Sequence, residues 1–193
     1  MRRIVIAATA IAAITTLSAR DARAQTSLVN LGLDYTASFT GDDFESLEGG
    51  FGLKGGLLFL LSPMTHIGAE VGWTSVGFKN TVVDEATDAS LLDLMGVLDL
   101  SLADGESAQP YIDLRAGYGR LALKTDVSDG SISGPTAGAG LGFRLRPGGV
   151  WIDIHGRYQH HWFGEFDDDD LVFTTETSGG RTVFGAGVSI PLG

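Results

Sequence analysis

Apolar and polar residues alternate at every second position over most of the chain, and this period of two predicts β-strands. The alternation covers eight segments, at about residues 28–39, 51–61, 65–78, 91–102, 111–124, 136–145, 150–162 and 181–192. Long and short connections follow one another, the long ones at 40–50, 79–90, 125–135 and 163–180 and the short ones at 62–64, 103–110 and 147–149. This rhythm predicts an all-β, antiparallel up-and-down meander with short turns at one end and long loops at the other.

The apolar faces of the eight segments carry no charge except Arg120, at the loop end of the fifth segment. A surface that faces water is normally rich in Lys and Glu, but the polar faces hold mainly Gly, Asp, Arg and Thr. Small glycines between large ionic side chains suit a narrow interior, and eight strands enclose just enough room for side chains. We therefore predict that the apolar faces point outward, into lipid.

Aromatic residues lie at both ends of the predicted apolar band. Trp73, Tyr118, Tyr158 and Trp162 lie toward the long loops, whereas Phe59, Tyr111 and Phe143 lie toward the short turns. Membrane barrels carry aromatic girdles at both interfaces. We predict that these residues, above all Trp73, Tyr118, Tyr158 and Trp162, are interfacial.

The first 24 residues have the features of a cleaved secretory signal peptide. Arg2 and Arg3 precede an uncharged stretch at 4–17, and Ala22-Arg23-Ala24 forms a cleavage signal. We expect 25–193 to be a single domain. Removing four arginines and one aspartate lowers the formal net charge from −11 to −14, which disfavours binding to nucleic acid. The absence of cysteine excludes disulfides and thiolate chemistry.

These features resemble the small outer-membrane β-barrel family of Gram-negative bacteria, the OmpA/OmpX-like and opacity-like porins. The last segment, FGAGVSIPL, is similar to the family's C-terminal insertion signal through Gly187, Ile190 and Leu192, although the chain ends without the usual aromatic residue. The resemblance implies an eight-stranded antiparallel up-and-down transmembrane β-barrel with short periplasmic turns and long extracellular loops. It also implies a monomer without a cofactor. The expected partners are outer-membrane lipid, lipopolysaccharide, the barrel-assembly machinery and periplasmic chaperones.

With the apolar faces outward, the charged residues of the polar faces line the lumen. They are Asp34, Lys54, Glu70, Asp93, Asp99, Asp113, Arg115, Arg144, Arg146, Asp153 and Arg157. Two hypotheses follow: a salt-bridge network that closes the lumen, or a polar conduit. We favour the network because both signs of charge are present and a buried charge without a partner is costly.

Catalytic or metal chemistry has weak support in the sequence. His160, His161 and Glu165 lie close together in the sequence. Some small outer-membrane barrels that resemble this chain deacylate lipid A with a His-x-Ser motif, but the serine is missing here. Without this nucleophile, a histidine base has no hydroxyl group to activate. Adjacent histidines on a strand point to opposite faces and cannot share one metal ion. The acidic run of Asp167, Asp168, Asp169 and Asp170 is a weak Ca²⁺ candidate. We therefore predict no catalytic site and no metal site.

The leading functional hypothesis is a non-enzymatic outer-membrane barrel that supports the envelope or displays its loops for adhesion. One alternative is a small pore for ions or small solutes that uses the lumenal charges. Another is a secreted, soluble, lipocalin-like barrel that binds an apolar ligand inside.

Overall fold

The computed structural model describes residues 27–192 except 42–43, 45, 79–85, 104, 106, 126–128, 148 and 165–176. Within these described ranges the chain forms nine strands: β1 Ser27–Thr40, β2 Leu47–Glu48, β3 Gly50–Ser62, β4 Thr65–Phe78, β5 Ala86–Ser101, β6 Ala108–Thr125, β7 Asp129–Leu145, β8 Trp151–Phe163 and β9 Thr177–Leu192. None of the described residues belongs to a helix long and apolar enough to cross a membrane.

Eight of these strands form a closed antiparallel barrel. The chain runs through β1 and then β3 to β9, each strand pairing with the next, and β9 returns to pair with β1. The two-residue β2 lies in the connection after β1 and pairs only with the loop end of β4. The eight-stranded up-and-down barrel predicted from the alternation is confirmed.

The direction of the side chains also agrees with the prediction. Leu33, Phe51 and Leu141 on the outer face are exposed by 63%, 72% and 64%, whereas polar residues of the same strands are buried. A soluble protein would not leave so continuous an apolar belt in water. The belt is therefore suited to acyl chains, and the closed ladder leaves no open sheet edge in the bilayer.

The third long connection is much shorter than the sequence predicts. β7 begins at Asp129, and only 126–128 lie between it and β6, in place of the predicted loop at 125–135. Gly, Ser and Pro make 129–135 look like a loop, but Ile132 packs inside the barrel and pairs with Leu121. Pro135 is accommodated because the pairing of β7 with β8 starts only at Thr136.

Two aromatic residues that the sequence places on the outer face are buried inside the barrel. A register shift between Thr36 and Ser38 turns Phe39 inward, since one extra residue reverses the alternation. Tyr111 shares the inward face of β6 with Asp113 and is 3% exposed. Tyr111 is therefore not part of the girdle at the turn end.

The barrel interior has an ionic middle between two apolar layers. At the loop end lies a cluster that we call the apolar plug: Phe39, Phe44, Leu47, Val76, Ala89, Leu91, Leu121, Ile132 and Phe163. Toward the turn end lies a smaller cluster: Leu28, Leu58, Met95 and Val97, with Trp151 packed against it. The charged side chains occupy the space between these two layers.

Candidate functional site

Seven of the predicted lumenal charges form the centre of the network inside the barrel. Glu70, Asp93, Asp113, Arg115, Arg144, Asp153 and Arg157 are buried, and each takes part in at least one ion pair. Glycine makes room for them on the neighbouring strands. A Cβ atom at Gly140 would lie 2.4 Å from Asp113 Oδ1 and 2.7 Å from Arg157 Cβ, so a larger residue there would displace both charged side chains.

Arg181 organises the ionic cluster nearest the plug. Its guanidinium pairs with Asp93 through Nη2 and donates to Gln159 Oε1 at 2.7 and 3.0 Å. Nη1 also donates to Thr74 Oγ1 at 3.2 Å. His161 lies beside this cluster, with Nδ1 2.8 Å from Thr136 Oγ1 and 3.8 Å from Asp93 Oδ1. Arg181 was not among the predicted lumenal charges, although it has the same parity along β9 as the inward residues of that strand.

A second cluster crosses the middle of the lumen. Arg115 pairs with Glu70 and donates from Nε to Asp113 Oδ2 at 2.6 Å. Arg157 lies 3.5 Å from Glu70 and 3.8 Å from Asp113, and 3.7 Å from Asp34. These contacts join side chains from four strands, β1, β4, β6 and β8, so the charges connect opposite walls of the barrel.

The third cluster lies toward the turn end. Lys54 Nζ is 3.0 Å from His155 Nε2, and His155 Nδ1 is 2.6 Å from Asp153 Oδ1. The hydroxyl of Tyr111 donates to the other oxygen of Asp153 at 2.5 Å. Arg144 completes the cluster.

Arg144 links this cluster to a further carboxylate and to an aromatic ring. It pairs with Asp99, lies 3.7 Å from Asp153 and stands 4.2 Å over the Tyr111 ring. Buried polar groups are thus paired across four strands, which favours a fixed interior.

The chain Lys54–His155–Asp153 has the composition of a proton relay, but it has no access for a substrate. The side chains of Lys54 and His155 are exposed by only 2% and 0%. The cavity beside Lys54 measures only ≈ 10 Å³, about the volume that one buried water needs. The three side chains therefore link the barrel walls in a nearly filled part of the lumen.

The apolar plug closes the loop end above the ionic clusters. Phe44 enters the barrel from the connection after β1, and its ring stacks between Phe39 and Phe163 at centroid distances of 6.0 and 5.9 Å. The ring of His161 stacks beneath Phe163 at 5.3 Å. Dispersion and apolar burial stabilise this stack, so it forms a second barrier in series with the charges.

The turn end has a more open mouth. A pocket of ≈ 200 Å³ lies there, bordered by Leu28, Leu60, His66, Arg146 and Trp151. Arg146 was predicted to line the lumen among the charges, but it lies at this open mouth and not in the buried network. β7 ends at Leu145, and Arg146 is exposed in the wall of the pocket, 5.2 Å over the Trp151 ring.

The four predicted interfacial aromatics lie on the outer face near the loops. Trp73, Tyr118, Tyr158 and Trp162 are 46–53% exposed. Tyr118 and Tyr158 hydroxyls lie 3.2 Å from Ser133 Oγ and 3.4 Å from Thr40 Oγ1. Each ring thus faces outward while its polar tip contacts the barrel rim.

The remaining sequence candidates do not form a site in the structure. His161 is buried in the lumen, whereas the neighbouring His160 packs against Trp162 on the other face, with the two rings tilted and their centroids 4.5 Å apart. Glu165 and the acidic run at 167–170 lie outside the described residues. Within the described ranges, no group of three or more His, Asp or Glu is arranged to hold a metal ion.

Comparisons with known proteins agree on the architecture. The family model described as "Outer membrane protein beta-barrel domain" matches residues 8–190. No curated protein matches the sequence.

Solved structures with the same fold have very different sequences. The Neisserial surface protein A (NspA) superposes with a TM-score of 0.59 at 15% identity, covering 85% of this chain and 96% of that one. OprG from Pseudomonas aeruginosa gives a TM-score of 0.59 at 11% identity, covering 88% and 96%. The attachment invasion locus protein Ail of Yersinia pestis gives a TM-score of 0.51 at 17% identity, covering 87% of this chain and 99% of that one. At these identities the likeness shows the fold alone.

Proposed function

Because the chain belongs to the outer membrane protein beta-barrel domain family, we propose that it works as a closed, non-enzymatic barrel with a structural or surface-interaction role. The family and the barrels of similar fold imply the outer membrane of a Gram-negative bacterium. The observation that carries the proposal is the filled lumen. A barrel that conducts nothing and has no reaction space acts through its outer surface and its loops.

The lumen argues against the pore hypothesis in two ways. The apolar plug blocks the loop end, and the three ionic clusters beneath it join the walls. An ion would have to break several buried charge pairs, each costly to separate, and then pass through an apolar constriction. The soluble alternative is disfavoured as well, since the interior is charged and the apolar residues are outside.

The loops supply the surface for interaction. Residues 164–176 separate β8 from β9, and the run at 167–170 is entirely acidic. Carboxylates favour cationic partners, or bridge through divalent cations to lipopolysaccharide phosphates. The proposed partners are therefore lipid and lipopolysaccharide around a monomeric barrel, with chaperones and the barrel-assembly machinery during biogenesis.

Single-channel recording tests the closed state. The barrel refolded into a planar bilayer should give no steady current above that of the bilayer alone, because the plug and the ionic clusters lie in series. Steady, reproducible channels would contradict the proposal and favour the pore hypothesis. The heat-dependent shift in gel mobility of the same sample confirms that folded barrel was added.

Complementation separates the structural role from loop display. A deletion strain receives either the intact chain or a variant in which a short Gly-Ser turn replaces residues 165–176. If the barrel itself supports the envelope, both restore resistance to detergent. If the loop mediates adhesion, only the intact chain restores attachment to a surface, and four Asp→Asn substitutions at 167–170 weaken it. Failure of the intact chain in both assays would overturn the proposed role.

A further inference from the structure

The pocket at the turn end combines apolar walls with polar groups that have no partner. Leu28, Leu60 and Pro191 form part of its wall, and the Trp151 ring forms another part. The pocket opens on the side of the short turns, which faces the periplasm in this fold. It is the open end of the lumen, at the inner apolar cluster of Leu28, Leu58, Met95 and Val97, and the ion pairs that fill the middle of the barrel do not occupy it.

Cationic and hydrogen-bonding groups border this pocket. Arg146 is exposed, lies 5.2 Å over the Trp151 ring, and forms no ion pair with any described carboxylate. His66 is 7% exposed and its Nδ1 has no hydrogen-bond partner in the described part of the chain. A buried polar atom without a partner costs free energy unless something binds it. Gln109 adds a buried amide to the same wall.

Arg146 is the exposed cation of this mouth. The nearest inward arginine of β7, Arg144, is buried behind the pocket and is already paired with Asp99. Arg146 therefore supplies the free positive charge, and a planar guanidinium on an aromatic ring is well oriented for a phosphate or carboxylate.

We propose that this mouth pocket binds an amphiphilic anion, that is, a phosphate or carboxylate head joined to a short apolar group. Arg146 and His66 contact the anionic head, and Trp151, Leu28 and Leu60 contact the apolar part. The pocket volume of ≈ 200 Å³ admits a headgroup with its first few methylenes and excludes a whole lipid. The ligand is either the headgroup region of an inner-leaflet phospholipid or a free periplasmic anion of the same chemistry.

Hexyl phosphate is a suitable probe, added to the barrel refolded in a nonionic detergent. The chain has three tryptophans, so indole ¹⁵N–¹H spectra report on Trp151 separately from the outer-face Trp73 and Trp162. The Trp151 signal should move saturably while the other two stay in place. Inorganic phosphate has only the anionic head and hexanol has only the apolar chain, so each should bind at least about tenfold more weakly than hexyl phosphate.

Variants of one exposed arginine at each end provide the matched control. Arg146→Ala should weaken hexyl phosphate binding about tenfold, and Arg146→Lys should restore only part of it because lysine lacks the planar fork. Arg120→Ala removes a cation at the opposite end, where it donates only to Ser131, and should leave binding unchanged. Equal binding by all three variants, or equal movement of all three indole signals, would overturn the proposal. Heat-modifiable gel mobility verifies that each variant is folded.

Nanodiscs distinguish the two sources of the ligand. If a phospholipid headgroup fills the pocket, the Trp151 signal in phosphatidylglycerol discs is already shifted and hexyl phosphate moves it little further. If a free anion is the ligand, the signal moves only when hexyl phosphate is added, in phosphatidylglycerol and phosphatidylcholine discs alike. Both sources would be contradicted if the Trp151 signal in the discs kept its position in detergent and hexyl phosphate moved it in neither disc. None of these outcomes depends on whether the barrel conducts or its loops adhere.

Discussion

Arg181 shows how single residues hold the lumen of this barrel together. Its guanidinium contacts side chains from β4, β5 and β8, namely Thr74, Asp93 and Gln159. Asp93 is 2% exposed, and its other oxygen forms no hydrogen bond. The carboxylate therefore depends on Arg181 for most of its stabilisation, with His161 at 3.8 Å as its nearest further partner.

We expect Arg181→Met to lower the free energy of unfolding by about 3–5 kcal/mol, because it leaves the Asp93 carboxylate buried without its cation. Urea unfolding of the barrel in phospholipid vesicles, followed by tryptophan fluorescence, measures the change. The double variant Arg181→Met with Asp93→Leu should recover much of the loss, since an apolar pair can replace a buried ion pair.

The matched control is Arg120→Met, on the exposed rim, which should change stability by less than about 1 kcal/mol. If the double variant were as unstable as Arg181→Met alone, the loss would come from the packing of the arginine and not from the unpaired carboxylate.

At the scale of the strands, most of the correct predictions came from the alternation of inward and outward positions along the sequence. The alternation located all eight barrel strands and the outward direction of residues such as Leu141. The same alternation places Tyr111 and Arg181 at inward positions. Tyr111 was nevertheless assigned to the outer face because it is aromatic, and Arg181 was left out because it lies at the edge of the predicted segment. The inward direction of Phe39 could not be predicted from the sequence, because the bulge that turns it inward depends on the register between β1 and β9.

Connections were predicted less well than strands, because they have no alternation and only their amino-acid composition was available for the prediction. The Gly-Ser-Pro content of 129–135 is typical of a loop, yet the pairing with β6 extends β7 through it. The plug was not foreseen either. Phe44 belongs to a connection by sequence, and only the closed fold places it between Phe39 and Phe163.

Depth in the membrane is testable with two positions on the outer face of β7. Leu141 lies well inside the strand, whereas Leu145 is its last residue, and both face outward with exposures of 64% and 42%. Leu141→Arg should destabilise the barrel by about 2–4 kcal/mol and Leu145→Arg by about 0–1 kcal/mol, since the cost of a charge falls from the bilayer midplane to the interface.

Vesicle-based urea unfolding of both variants tests this depth assignment, and the order of the two values is the decisive result. Equal losses at the two positions would mean that the apolar belt does not follow the bilayer as proposed. Repeating the measurement in detergent micelles, which adapt to a charge more readily than a bilayer, should reduce the difference between the variants.

For the whole molecule, closure of the sheet decides whether the fold exists at all. β9 pairs with β8 on one side and β1 on the other, so the last strand completes both ladders. An open barrel would expose unpaired backbone groups to lipid, which cannot hydrogen-bond to them. The same closure brings the charges of all walls close enough to pair, so the ionic clusters and the ladder depend on one another.

A proline at position 188 tests this dependence. Val188 pairs with both neighbours of the closing strand, with Leu31 of β1 and Ile152 of β8, whereas the natural Pro191 is the last residue but one of that strand and pairs only with β1. Val188→Pro removes a ladder hydrogen bond and introduces a ring clash, so the unboiled protein should migrate at the position of the boiled one. Val188→Ala keeps the ladder and loses only lipid contact, so it should retain the faster, heat-sensitive band. If both variants kept that band, closure would tolerate a broken ladder within the closing strand, and the lumenal ion pairs would then have to hold β1 and β9 together.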